Sequence, residues 1–535
     1  TETFDTKFAE VSVGCEACHG PGLAHSQEPS AFSVVPLTNP KTRLDVCASC
    51  HSRRNQVAEG FVPGSELLDH YVPSLLDEGL YHADGQILDE VFVYGSFIQS
   101  KMHRAGVTCG DCHQPHSAKL LRDENALCTS CHSPEGSGRF AGLQSKIYDS
   151  KAHHFHPRTP KEGAIIGTST GTACVDCHMT SRIYMGIDYR RDHSFRIPRP
   201  DLSVDLDVPN ACTNCHEERG NQWALEQIES RFGTKPANHF AYALAGARQG
   251  KQAASERLLR MAENPELPNI VRASGMSLLG QYNPTAAPLL QSLSDPDPLI
   301  RLGAVRAVSA AGPASWQLLA PSLNDPVRGV RFAAVASLLP NYAQLPALSR
   351  RTMDVAIDEY VEYLSNNSDR AEALTNRALV RRAQGDLAAT EADLRRALEQ
   401  NPSWVPGLVN LADLYRSTGR DLLAGGLLLQ AMTLAPQSSQ VQVARALWQV
   451  RQGDLSQAVA TLALGYGQRI NASSGYVYAI ALNSAGKPDE AIAAIDELLA
   501  ADLHTRQLLQ LGVSLARENR LPERVLQYQQ ALQRL

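Results

Sequence analysis

The chain has 535 residues, 20% of them charged, with a formal net charge of −6. That length suggests about three or four domains of roughly 150 residues each, and the mildly acidic balance gives no reason to expect nucleic acid or an anionic membrane surface as a partner. No run approaches the roughly 18 consecutive apolar residues of a membrane-spanning helix, so no transmembrane segment is expected.

The first informative stretch begins at Val13 and reads VGCEACHGPGLAH. Two cysteines stand three apart, a histidine follows the second, and another histidine comes at His25. The same pattern recurs along the chain at Cys47/Cys50, Cys109/Cys112, Cys128/Cys131, Cys174/Cys177 and Cys212/Cys215. Each pair is followed at once by a histidine: His19, His51, His113, His132, His178 and His216. The six pairs, Cys15/Cys18 included, use all twelve cysteines, and none lies beyond Cys215.

A CxxCH motif attaches haem: the two thiols add across the vinyl groups and the adjacent imidazole becomes the proximal ligand of the iron. A thioredoxin-like CxxC needs a βαβ setting, and a zinc ribbon needs no trailing histidine. Six repeats without a spare cysteine exclude both. Six c-type haems over about 200 residues leave little polypeptide per cofactor, so the porphyrins themselves are expected to form the core of this segment. Haem attachment takes place outside the cytoplasm. A periplasmic or extracellular location is therefore expected, with a signal peptide absent from this sequence.

Seventeen histidines are present, six of them proximal. His239 and His504 lie beyond the motifs and read as surface or packing residues. Nine remain as candidates for the second axial position: His25, His70, His82, His103, His116, His153, His154, His156 and His193. Bis-histidine ligation accounts for this excess and implies lower potentials than a Met/His pair. Pro115 stiffens the step between His113 and His116 and directs His116 to a neighbouring iron. The GPG turn after His19 does the same for His25. His82 and His193 stand alone in polar turns, and His103 completes the set. In KAHHFH only one histidine need bind iron, and His154 is assigned. Met102, Met179 and Met185 read as packing residues rather than axial thioethers.

The phrases LYHADGQILDEVFVYGSFIQSKM, GVTCGDCHQPHS, RRDHSFRIPRPDLS and PNACTNCH, with CEACHGPGLAH, resemble those of bacterial multihaem cytochromes c with C-terminal tetratricopeptide repeats. That group is related to the cytochrome c554 and octahaem oxidoreductase proteins. The resemblance covers residues 1 to about 225 closely and the remainder by architecture. It implies a haem-bearing domain preceded, in the family, by further CxxCH motifs.

Beyond Arg219 the composition shifts to Ala, Leu, Gln and Arg with helical spacing. Arg272, Arg301 and Arg331 mark a unit recurring at 29 and 30 residues, a turn with Asp and Pro followed by an amphipathic helix, which resembles a HEAT-type repeat. From about residue 369 a second register appears, with Gly385, Gly419, Gly453, Gly486 and Asn519 at steps of 34, 34, 33 and 33. Each is expected in a left-handed turn between two helices. Ala397, Ala431, Gly465 and Ala531 keep a common offset from these turns, and Pro402 and Pro436 end their helices. This is the signature of a tetratricopeptide array.

The expected architecture is thus a loop-rich hexahaem cytochrome c domain over 1–220, HEAT-like helices over 221–345 and tetratricopeptide repeats over 346–535. The function expected is electron transfer along six haems, with the helical solenoid docking redox partner proteins or driving self-assembly. Two alternatives remain. One is an oxidoreductase of small nitrogen or sulfur compounds with one open haem, its pocket lined by His103 or His156 with Arg104 or Tyr184. The other is a subunit of a polymeric cytochrome assembly, a homo-oligomer or filament. No CxxCK variant or other catalytic constellation favours the enzyme.

Overall fold

The structure, a computed structural model, describes residues 12–30, 34–140, 144–156, 171–235, 238–282, 286–308, 315–468 and 471–534. The first residues of the segment expected over 1–220 lie outside these. Through Arg219 the chain is made of short helical turns, loops and small two-stranded antiparallel ribbons, Arg54–Gln56 with Tyr71–Pro73, His113–Gln114 with Lys119–Leu120, and Ser181–Tyr184 with Asp188–Arg191. From Gly220 onward helices follow one another to Gln533.

The haem-bearing segment has a divided interior. Among the described residues from Ala105 to Arg199, only Thr108, Tyr184, Asp192 and Ser194 are buried. So little buried apolar material leaves the described part of this stretch without a conventional core of its own. Residues 52–98 differ. Leu67, Leu68, Leu75, Leu76, Tyr81, Ile87, Val91, Tyr94 and Phe97 are buried in a conventional apolar core shared with helices from Ala241 to Ala383. The expectation that porphyrins are the segment's whole core is corrected here. A stretch without a CxxCH motif, between Ser52 and Thr108, packs on the solenoid instead.

Polar contacts secure that seam. The Leu76 N–H donates to Ser274 Oγ at 3.0 Å. Arg248 donates to the carbonyls of Tyr81 (2.9 Å) and Leu76 (2.8 Å). The Arg328 N–H donates to Asp69 Oδ1 at 2.7 Å and its guanidinium to Asp69 O at 2.6 Å. These bonds satisfy carbonyls that the irregular loop cannot pair within itself.

In the first part of the solenoid, helices Asn269–Leu279, Pro298–Val308 and Arg328–Leu338 carry the arginines read from the sequence. Each reaches an acid of a following unit, Arg272 to Asp295 (3.5 Å) and Arg301 to Asp325 (2.7 and 2.9 Å) just before the next helix, and Arg331 to Glu359 (2.8 and 2.9 Å) within helix Ala347–Asn366. Planar guanidinium groups meeting carboxylates in this way fix the stacking angle as well as adding energy. Gly303 lets two helices approach closely, since a Cβ there would collide with the Ala273 carbonyl.

The tetratricopeptide register is present as paired helices from Ala371–Ala383 to Pro522–Gln533. Gly385, Gly419, Gly453 and Gly486 have φ of 87°, 74°, 83° and 73° in the turns between paired helices. Asn519 does not follow them: its φ is −92°, and the left-handed residue is Arg520 at 57°. The last step is therefore 34 residues rather than 33, and the Asn519 side chain instead donates to Leu515 O at 2.8 Å.

The solenoid also returns on itself. In the turn after helix Pro488–Ala500, Asp502 accepts the Gln252 N–H on its carbonyl and the Ala253 N–H on its carboxylate, both at 2.8 Å. Ala253 immediately precedes helix Ala254–Glu263, so the carboxylate meets an N-terminal donor that the helix cannot pair itself. Replacing Asp502 by alanine removes one such cap, worth about 1 kcal/mol. Hydrogen exchange at the Ala253 amide is expected to accelerate about fivefold, while the repeats around Gly419 keep their protection.

Burial alone would raise the Glu359 carboxyl, but hydrogen bonds from Arg328 and Arg331 outweigh it and hold the group below its ordinary value. A depressed carboxylate stabilises the fold above its unfolded pKa, and the gain is lost as pH falls through the folded value. Glu359→Gln is expected to cost about 1–3 kcal/mol at neutral pH. The difference from the parent in thermal denaturation should shrink as pH falls below about 4.3.

Candidate haem centres

The CxxCH motifs form tight single turns. The N–H of each of His19, His132 and His216 donates to the carbonyl of the first cysteine of its motif, at 2.9, 2.8 and 2.9 Å. One helical turn places residues i and i+4 on the same face, so a thiol and the imidazole are presented to the same side. The remaining motifs lie at the end of helix Pro40–His51, in the turn Cys109–Asp111 followed by His113, and on helix Cys174–His178. No cysteine is in a disulfide. Among the described residues, no group of three or more His, Cys, Asp or Glu is arranged to hold a bare metal ion.

Four proximal imidazoles stand opposite a second imidazole at a common interval. His19 faces His116 with ring centres 6.2 Å apart and planes 8° from parallel. His153 faces His178 at 6.2 Å and 8°, His156 faces His216 at 6.2 Å and 23°, and His113 faces His193 at 6.4 Å and 25°. Parallel rings in direct face contact lie much closer. Two imidazoles bound to one metal by bonds of about 2.0 Å, with about 1.1 Å from nitrogen to ring centre, have centres roughly 6.2 Å apart. These residues fit a bis-histidine haem iron.

Hydrogen bonding sets the tautomer. His178 Nδ1 contacts Arg196 O (2.6 Å), His193 Nδ1 contacts Arg191 O (2.9 Å) and His156 Nδ1 contacts His154 O (2.5 Å). An Nδ1–H given to a backbone carbonyl leaves Nε2 with the lone pair a metal needs. Burial, with smaller contributions from neighbouring imidazoles, lowers the pKa of His113, His132 and His153. They are kept in the neutral form that ligates.

The other expected distal residues stand elsewhere. Of the KAHHFH histidines it is His153 and His156, rather than the expected His154, that stand opposite proximal rings; the His154 Nδ1 accepts the His156 N–H at 3.2 Å. The helix Lys151–His154 ends at Phe155, whose φ of 60° turns the chain. That turn lets the histidines on either side of His154 serve two different motifs, and no periodicity in the sequence announces it. His82 Nε2 lies 3.4 Å from Arg182 Nη1, so the nitrogen expected to ligate meets a guanidinium. His103 turns edge-on to Phe97 with its Nδ1 buried. His25 Nδ1 contacts Ser30 O and His70 Nδ1 contacts Glu59 O, both at 3.1 Å. His239 is half-buried, and desolvation first of all pushes it down to about 4.

Successive motifs lie near one another in chain order. Cys18 is raised by burial and then by Cys47 and Cys50. A thiol hydrogen bond between Cys47 and Cys109 raises the former and lowers the latter. Cys112 is raised by burial, then Asp111 and Cys131. Cys174 and Cys128 share a hydrogen bond that raises the first and lowers the second. Burial and then Cys212 push Cys177 up to about 11. Side chains reinforce the succession. Asn125 donates to Asp149 Oδ1 (3.1 Å) and Thr172 O (3.0 Å) and accepts the Cys174 N–H (2.9 Å), tying the fourth motif to the fifth.

Comparison with known proteins agrees with this chemistry over part of the chain. Residues 105–248 match the sequence profile of the family described as outer membrane cytochrome MtrC/MtrF-like, domains II/IV. The match spans less than half of the chain and supports a multihaem cytochrome carrying c-type haem. Comparison with curated proteins finds no match. Among solved structures, pilF of Pseudomonas aeruginosa is 20% identical over 39% of this chain and 92% of its own, with a TM-score of 0.29. A tetratricopeptide repeat protein from Parabacteroides merdae is 16% identical over 42% and 86%, with a TM-score of 0.29. Yeast Tom70 is 12% identical over 59% and 74%, with a TM-score of 0.31. Scores this low carry no argument about the present chain.

Asn125→Ala removes three hydrogen bonds at one partly buried side chain, each worth about 1 kcal/mol. The expected result is faster hydrogen exchange at the Cys174 amide, with the Cys47 region unaffected.

Proposed function

We propose that this chain is an extracytoplasmic electron-transfer protein that passes electrons along six covalently attached haems in single file. The observation that supports this reading is the nearness of each CxxCH motif to the next in sequence order, from Cys18 to Cys212, close enough for their thiols to act on one another. Haem supplies the reversible one-electron chemistry when attached. The chain's own residues hold it by two thiols, orient it through imidazoles fixed by backbone carbonyls, and space it through neighbouring turns. Histidines 19, 116, 113, 193, 178, 153, 216 and 156 are the axial ligands of four of the irons.

The likeness of residues 105–248 to outer membrane cytochromes supports a periplasmic or extracellular location. No helix among the described residues is long and apolar enough to cross a membrane. The solenoid serves as scaffold for residues 52–98 and leaves the repeats beyond Ala371 to dock a redox partner or a second copy. Cys15 at one end of the file, Cys215 at the other and Cys50 in the second motif are exposed, which suits electron entry and exit at these points.

Breaking the file in the middle tests the reading. The double variant Cys128→Ala, Cys131→Ala is expected to carry five haems by pyridine haemochrome assay. It should still accept electrons at both ends but lose end-to-end transfer in film voltammetry. Undiminished transfer through that variant would contradict a single file.

A further inference from the structure

We infer that Arg196 is a positioning residue for two irons at once, fixing the axial imidazole His178 of the fifth motif and the axial imidazole His193 that stands opposite the third. This rests on the six-haem, bis-histidine reading above and deepens it.

Arg196 meets His178 through its backbone in both directions. Its N–H donates to His178 O at 2.9 Å, and its own carbonyl lies 2.6 Å from His178 Nδ1. A ligand imidazole tied in this way has its orientation and its basicity set by that carbonyl. His193 stands three residues earlier on the same turn, with Phe195 between them at a left-handed φ of 49°. A bulky aromatic residue leaves the ordinary backbone regions only where its surroundings over-determine it.

The Arg196 side chain provides that constraint. Its guanidinium donates to Asp84 O at 2.6 Å and to Gln99 Oε1 at 3.0 Å, and its Nε lies 3.8 Å from the Asp192 carboxylate. Asp84 lies within, and Gln99 directly after, the stretch 52–98 that shares the solenoid's core. Asp192, 3% exposed, accepts the N–H groups of Ser194 (2.8 Å) and Ile87 (3.3 Å). One guanidinium thus ties the turn from Asp192 to Arg196 to the frame. The third and fifth irons therefore share a support, although the fourth motif separates them in sequence. Arg190, by contrast, pairs with Asp188 inside its own ribbon and serves as the control.

The test uses the full haem-loaded chain. A pyridine haemochrome count and ferric electron paramagnetic resonance of the parent first check the reading beneath the inference: six haems, with low-spin signals for the third and fifth. Those two signals are assigned by their loss in the double variants Cys109→Ala, Cys112→Ala and Cys174→Ala, Cys177→Ala. Arg196→Lys keeps the charge but cannot reproduce the planar fork. Both signals are expected to shift in g-value while the others stay. The midpoint potential of the fifth-motif haem should rise, because a looser hydrogen bond at Nδ1 makes the imidazole a less basic ligand and favours ferric iron less. Gln99→Ala, which removes one acceptor of the fork, should shift the same two signals by less, and Arg190→Lys should shift none. Signals unchanged in both the Arg196 and the Gln99 variants, or all displaced alike, would overturn the inference. So would a lowered melting temperature with spectra and potential unaltered.

Discussion

The arrangement depends on one interval: two imidazoles held in near-parallel planes with centres a little over 6 Å apart, the spacing of two rings that share one metal ion. Protein interiors do not keep such gaps between aromatic rings without cause, because unfilled space forfeits dispersion on both sides. Here the interval recurs at four motifs, using rings from sequence positions as distant as His19 and His116. Each CxxCH turn fixes one side of a gap through its own backbone. The other side comes from a remote segment whose orientation is set by a carbonyl, as with His193 on Arg191 O and His156 on His154 O.

Holding remote segments to that tolerance requires a frame. Loops with so few buried apolar side chains cannot provide it alone. Residues 52–98 transfer rigidity from the solenoid, since they share its core and are tied to it at Asp69, Leu76 and Tyr81. The arginine ladder through Arg272, Arg301 and Arg331 sets the pitch of that frame. The contact of Asp502 with the start of helix Ala254–Glu263 joins its late repeats to its early ones. The tetratricopeptide part is therefore part of the scaffold as well as a candidate docking surface.

Much of this was legible in the residues. The motifs, the solenoid and its two registers follow from spacing alone, because thioether attachment and helix pairing are local. That His116 turns away from its own motif was legible, because Pro115 prevents a return to His113, and it stands opposite His19. What the sequence could not convey is long-range. Whether His153, His154 or His156 serves an iron turns on the left-handed Phe155. His82 looked like a ligand until Arg182, a hundred residues on, came to rest beside it. Asn519 seemed the natural left-handed residue by type, yet the 34-residue period overrode side-chain preference and placed Arg520 there. The shared core of residues 52–98 was hidden because its apolar residues pair with helices nearly two hundred positions away.

Anomalous diffraction at the iron edge, on crystals of the haem-loaded chain, tests the central claim most directly. The account predicts six iron positions in single file, four of them midway between His19 and His116, His113 and His193, His178 and His153, and His216 and His156. Iron absent from those four intervals, or bound with any of these histidine pairs on separate metals, would contradict it.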